Sequence, residues 1–393
     1  MGAQAAGAVR PGEVVSMFPQ ARGRHSRQAH CDLPEGTYEE EFGRHGFFGP
    51  ASHLYHEHAP TEWLRIEGPL RPRAYDLRKI EATDARDPAG AVTPVLGNAD
   101  VRIQVSRRTE AMPHAYRNAD CDLIYFVHRG HGRLATDFGA LDYEAGDYLV
   151  LPRGTTHRVF PAGEESFLLV ISSSDLPEFP PSDRMGQHSP YDRAVLRLPE
   201  LPQEPGPPTA PGEWELVIER EGRWTRVVYP FDPIDTVGWK GDLSAFALNV
   251  RDIRPVTSGR YHLPPSVHTT LRTPGFVLCT FTPRRVEGID DPGAVRLPFY
   301  HRNIDYDEVL FYHAGQFMSR AGIDAGMLTW HPQGIHHGPQ PKAVRRDLEQ
   351  TKTHHDEVAV MIDAVHPLQP LAGAGPAEIL EYAESWMPYI DDD

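Results

Sequence analysis

The chain has 393 residues, 40 % of them hydrophobic and 9 % aromatic, enough apolar material for two cores and unlike a disordered polypeptide. Its 39 basic residues against 55 acidic ones leave a net charge of −16, which argues against a nucleic-acid binder with a basic face. The three cysteines, Cys31, Cys121 and Cys279, cannot form a disulfide framework and no apolar run reaches membrane-span length, so a cytoplasmic protein with reduced thiols is expected.

The first residues, MGAQAAGAVRPGEVV, show neither a signal-peptide pattern nor a myristoylation site. Residues 1–31 read as a flexible arm; His25, His30 and Cys31 lack the spacing of a metal site. Residues 32–95 mix aromatics, charges and prolines and read as an N-terminal extension that packs on the β-rich units downstream. Within it His53, His56 and His58 are expected to be solvated or subunit-facing rather than ligating. From 96 to 175 short β runs alternate with tight turns (DLIYFVHRG, GHGRLATDF, GDYLVLPRG, FLLVISSS), the pattern of a barrel or sandwich. A proline-rich stretch, 176–230, reads as a connection between two units. Strand patterns resume at WELVIER (214–220), the second barrel is read over 231–370, and 371–393 reads as a C-terminal helix from Pro376 to about Met387 followed by an acidic tail.

Two stretches repeat. MPHAYRNADCDLIYFVHRG (112–130) aligns without gaps on PFYHRNIDYDEVLFYHAG (298–315) through Arg117/Arg302, Asn118/Asn303, Asp122/Asp307, Phe126/Phe311 and Gly130/Gly315. Downstream, LPRGTTH (151–157) matches HPQGIHH (331–337). A strand motif followed by a Gly turn and a histidine, present twice, is the layout of a bicupin, a duplicated jelly-roll β-barrel. The expected fold is therefore all-β dominated, with only the short C-terminal helix.

The repeat separates fold from chemistry. Residues common to both copies serve the barrel, whereas His301, Glu308, His331 and His336 occur in the second copy alone and His337 is matched by His157. Two imidazoles and a carboxylate with open positions beside them form the donor set of non-haem Fe(II) oxygenases. The repeat selects His301, Glu308 and His337 as that set, with Asp307 competing for the carboxylate place and His336 for the second histidine. The first copy, with a single candidate ligand, reads as a metal-free barrel kept for packing.

The segments FDPIDTVGWKGDLSAFALNV, GRYHLPPSV, PFYHRN and G-x-L-T-x-H-x(5)-HGP resemble the homogentisate 1,2-dioxygenases in the same order. The resemblance covers most of residues 32–370. It implies an Fe(II) cofactor, O2 and a small aromatic diphenol as partners, ring cleavage of homogentisate to maleylacetoacetate, and a homo-oligomer, trimeric or hexameric. By motif it places His301 and His337 at the iron, makes His262 the catalytic histidine that assists deprotonation of a ring hydroxyl, and puts His331 behind the metal or in the pocket. Two departures stand out. The family's His–Glu separation is one residue shorter and, taken alone, selects Asp307; a bulge before the strand would keep Glu308. A family tyrosine that holds substrate falls near Phe317, so its hydroxyl would have to come from Tyr312, Tyr306 or water. Alternatives are a dioxygenase for a gentisate- or hydroquinone-like acid, and a Zn- or Mn-dependent cupin isomerase.

Overall fold

The computed structural model describes residues 20–181, 185–201, 212–302, 304–317, 320, 322–344 and 352–387. Asn303 and the acidic tail lie outside them, as does most of the expected N-terminal arm. Within the described part of that arm residues 20–25 are exposed, whereas Ser26, His30 and Cys31 are buried.

The chain is mostly β-strand and divides into two compact units. One comprises residues 77–254 with 369–377. Its frame is a pair of long antiparallel strands, Asp122–Thr136 and Thr156–Ser173, flanked by Val101–Arg108, Gly139–Tyr143 and Asp147–Leu151. Alternation sends Leu123, Tyr125 and Val127 to one face, where they meet Leu149, Leu151, Leu168 and Val170 in a buried cluster. Each such side chain removed from water stabilises the unit by about 2 kcal/mol before entropy is counted.

The second unit holds residues 20–76, 255–368 and 378–387. Its antiparallel sheet runs in the order Thr269–Arg272, Phe276–Phe281, Val358–Ala364, Asp307–Ala314, Met327–His331, Arg73–Asp76 and Glu378–Ile379. A hairpin of Tyr38–Gly43 and Ala51–His56 lies beside it, the first strand pairing in parallel with Tyr300–His301.

The repeat is visible in the backbone. Gly130 and Gly315 both have positive φ, 95° and 86°, and an added Cβ would come within 2.3 Å and 2.2 Å of a neighbouring strand's carbonyl oxygen. Only glycine fits such an approach. Gly154 and Gly334, in the two Pro-x-Gly turns, have φ of 83° and 87°.

Three expectations change. The connection read over 176–230 ends in two strands, Trp214–Arg220 and Arg223–Tyr229, joined through Glu221 and Gly222 at φ of 52° and 68°. This is the two-residue hairpin geometry. The hairpin extends the first unit's sheet along Ala115–Asn118, and Phe246–Asn249 pairs with Asp147–Leu151, so that unit runs to residue 254 rather than ending at 175. Residues 32–76 belong to the second unit while 77–95 belong to the first. The C-terminal helix forms as two 3₁₀ segments, Gly375–Ala377 and Leu380–Trp386, because Glu378–Ile379 pairs with Tyr75 and Ala74 between them. Trp386 and Ala383 are buried as the apolar face requires, while Leu380 is exposed. Among the described residues no helix is long and apolar enough to cross a membrane.

Candidate metal centre

Asp307 and Glu308 begin the strand Asp307–Ala314 and point to opposite faces. Asp307 is fully engaged away from the barrel interior: it accepts hydrogen bonds from Gln333 N (2.8 Å), Leu368 N (2.7 Å) and Trp330 Nε1 (3.0 Å). Asp122 does the corresponding work in the first unit, accepting from Arg153 N at 3.0 Å. Arg153 and Gln333 hold the same place in the two Pro-x-Gly turns, so the shared aspartate ties strand to turn in both copies. The family spacing, counted in residues, selects Asp307 unless an extra residue is accommodated before the strand. Here a turn at Ile304–Asp305 intervenes, so strand parity is not carried between the two.

Glu308 faces the histidines. Its Oε2 lies 3.4 Å from His301 Nε2 and 3.6 Å from His337 Nε2, and all three ligand atoms fall within 4.8 Å of one another. His301 and His337 are joined by a reciprocal pair of backbone hydrogen bonds, which brings their rings to 4.1 Å. The same pairing joins Tyr116 to His157 in the first unit. Each imidazole donates its Nδ1–H to the carbonyl two residues earlier, His301 to Phe299 O (3.0 Å) and His337 to Ile335 O (3.1 Å). That fixes the tautomer and turns both Nε2 atoms toward Glu308, as ligating histidines require.

The electrostatics fit a divalent ion. Burial alone would raise the Glu308 pKa, but the surrounding His337, His301 and His331 override it and hold the carboxyl well below its usual range. Burial pushes His337 down to about 4 and His331 to about 3. At neutral pH Glu308 is thus a buried carboxylate beside neutral His331 and His337, the protonation state that metal binding needs. Asp363, opposite Glu308 on the neighbouring strand, is pushed well above its ordinary value by burial and then by the Glu308 charge.

His331 stands behind the carboxylate. Its Nδ1 donates to Glu308 Oε1 at 2.8 Å and its Nε2 accepts from the Tyr382 hydroxyl at 3.0 Å. His336 points elsewhere, to Glu40 Oε1 at 3.1 Å, and joins His56 and Arg302 around that fully buried carboxylate. His262, also buried, has Nδ1 2.9 Å from Glu287 Oε2. Phe299 connects these regions, its ring centroid 6.4 Å from that of His262 and 5.6 Å from that of His301. Phe47 adds an edge contact to His301 at 5.3 Å. Tyr312 shares its hydroxyl with Thr329 (3.0 Å) and packs on Phe317 in a small core with Met327 and Ala359, so both belong to packing.

Sequence reasoning missed Glu287, Tyr382 and Arg320. The buried Arg320 donates to Gly338 O at 2.9 Å and stacks on Trp386. None carries a local motif; Tyr382 was hidden in the segment read as a helix. His30 and His53, set aside in sequence, come together with Glu41 as a second group of metal-type donors.

A family model, homogentisate 1,2-dioxygenase N-terminal, matches residues 89–250. A Saccharolobus solfataricus protein described as a candidate dioxygenase is 35 % identical over 362 residues, covering 88 % of this chain and 92 % of its own. The homogentisate 1,2-dioxygenase of Bradyrhizobium diazoefficiens is 26 % identical, with 78 % and 70 % covered. Among solved structures the chain is similar to a cupin barrel protein from Leptotrichia buccalis, with a TM-score of 0.33 and 8 % identity over 70 % of this chain and 88 % of that one. The chain is mostly β and belongs to the homogentisate 1,2-dioxygenase family.

Proposed function

We propose that this protein is an Fe(II)- and O2-dependent dioxygenase that opens the aromatic ring of homogentisate or a close para-diphenol. The observation that carries this reading is the convergence of His301 Nε2, His337 Nε2 and Glu308 Oε2, with both imidazole tautomers set by backbone carbonyls. Relatives at 24–26 % identity that are named homogentisate 1,2-dioxygenases support the substrate class. Fe(II) held by this set supplies adjacent open positions for a phenolate and dioxygen, and the redox chemistry that couples them.

The protein's own residues prepare the ring. His262 accepts the proton of a ring hydroxyl, since an imidazole suits proton transfer near neutrality. Glu287 at its Nδ1 orients the ring and stabilises the imidazolium that forms. The Phe299 and Phe47 rings line the approach to His301 with apolar surface, favouring a flat aromatic substrate. His331 and Tyr382 hold Glu308 in place. The hydroxyl that a family tyrosine would bring near Phe317 is absent, which keeps gentisate- and hydroquinone-like acids beside homogentisate as substrates.

Anaerobic reconstitution with Fe(II), followed by oxygen uptake with homogentisate, gentisate and a hydroquinone acid, tests the reading. One O2 consumed per diphenol, fastest with homogentisate, is expected. Stoichiometric iron without uptake on any diphenol would overturn it.

A further inference from the structure

The N-terminal hairpin carries donors that the first centre does not use. Along Tyr38–Gly43, three successive glutamates meet histidines, and two of them do so in the ordinary way. Glu39 Oε2 accepts from His30 Nδ1 (2.8 Å) and His30 N (2.9 Å), while its Oε1 accepts from Tyr55 OH (2.8 Å). Glu40, on the opposite face, lies 2.8 Å from His56 Nε2 and 3.1 Å from His336 Nε2. Glu41 behaves differently. Its Oε2 stands off from both neighbouring rings, 3.5 Å from His53 Nε2 and 3.8 Å from His30 Nε2.

These distances are too long for charge-assisted hydrogen bonds, which close to about 2.7–2.9 Å. Both stand a little above the separation of donors sharing a small ion, about 3.4 Å for tetrahedral geometry at 2.0–2.1 Å from the metal. The three ligand atoms lie within 4.8 Å of one another. His53 Nε2 is buried and makes no hydrogen bond of acceptable geometry. The tautomers agree: His30 donates Nδ1–H to Glu39, so Nε2 presents its lone pair toward Glu41, and the Glu39 carboxylate behind it is the partner that raises a ligating histidine's basicity. His30 is held for this in the left-handed backbone region, φ 62°, buried and anchored through its own N–H to Glu39. That conformation is uncommon outside glycine.

We propose that His30, Glu41 and His53 form a second site for a divalent transition-metal ion. Cross-strand pairing sets Glu41 opposite His53, and residue 30 closes the group from the preceding loop. The His30 ring stacks on Phe299 at 4.3 Å, two residues before His301. An ion there clamps the loop and hairpin against the Phe299 wall of the candidate catalytic pocket. Its role is structural and does not depend on the ring-cleavage reaction.

The test counts metal. The chelator-treated full chain is reloaded with Co(II), excess is removed, and bound cobalt is measured together with its visible absorption. Two equivalents per chain are expected in the wild type. Glu41→Gln, which keeps shape but weakens ligation, and His53→Ala should each leave one, and Glu308→Gln should also leave one by emptying the other site. Cobalt should raise the melting temperature of Glu308→Gln and not that of Glu41→Gln/Glu308→Gln. A wild-type stoichiometry unchanged by Glu41→Gln and by His53→Ala would overturn the second site. A single equivalent lost in Glu41→Gln and kept in Glu308→Gln would sustain it while refuting the first centre.

Discussion

The two barrels share a turn, an aspartate tether, a bent glycine and a histidine, yet their centres have opposite contents. In the first, His157 donates Nδ1–H to Thr155 O (3.3 Å), as His337 does to Ile335, but its Nε2 accepts from the Tyr125 hydroxyl at 2.9 Å. Tyr116 stands where His301 stands, and Leu123 where Glu308 does. The imidazole is thereby satisfied within the protein, and its surroundings pack as an apolar core. In the second barrel Leu310 stands in the place of Tyr125, and a carboxylate faces two imidazoles. A handful of side chains on an unchanged backbone separates a packed barrel from a donor set.

The largest effect should come from making the second centre resemble the first. Glu308→Leu installs the residue the other copy carries. It should abolish iron retention and lower turnover by more than about 10³-fold, beyond the 10–100-fold typical of losing a partner behind a ligand. Metal analysis and oxygen uptake would read both. Stability of the metal-free chain should hold or rise, because an apolar residue replaces a buried charge. Retained iron would mean that Glu308 is not a ligand.

The tether is the next comparison to sharpen. Asp307→Ala strands three donors, whereas Asp122→Ala strands Arg153 N. Charged hydrogen bonds of this kind contribute about 1.5–3 kcal/mol and leave costly unpaired groups when broken. Asp307→Ala should therefore destabilise by about 3 kcal/mol and Asp122→Ala by about half as much, in urea unfolding. Iron per folded chain should stay unchanged in both. Loss of iron from Asp307→Ala without loss of stability would return the carboxylate role to Asp307.

This pair also shows what was legible in sequence. The duplication, read as an internal control, distinguishes Asp307 from Glu308 because the tether recurs and the ligand does not. Family spacing alone selects Asp307, but in the fold a turn at Ile304–Asp305 lies between His301 and the strand that begins at Asp307, so a count of residues does not decide which carboxylate faces the histidines. The barrels were legible from alternation and glycine turns. The boundary at residue 254 was not, since the Trp214–Arg220 hairpin follows a proline-rich run and finds its partner only in space. His30, Glu41 and His53 were likewise unreadable, coming from a loop and two strands whose register sequence does not state. Glu287 and Tyr382 act through single contacts with distant histidines, and such contacts leave no periodic signal.

The smallest effect isolates the histidine the copies share. His157 is fully buried, and burial holds its pKa down to about 4, against an ordinary 6.5. Above pH 6.5 the imidazole is neutral folded or unfolded, and its titration costs nothing. Between 6.5 and 4 the unfolded chain takes up a proton that the folded chain refuses, so stability falls as pH falls, by about 1.4 kcal/mol per unit. The full cost across that window is about 3 kcal/mol. His157→Gln removes the titration while keeping an amide to meet Tyr125. In chelator, where His331 and His337 add the same slope to both chains, the wild type should lose its advantage over His157→Gln between pH 7.5 and 5.5, by about 1.4 kcal/mol. Adding Fe(II) should keep the slope that comes from His337, because a metal-bound imidazole stays deprotonated while the unfolded one still takes up its proton, and leave the His157 difference untouched. A His157 difference that vanished with iron would mean that the first barrel also answers to the metal.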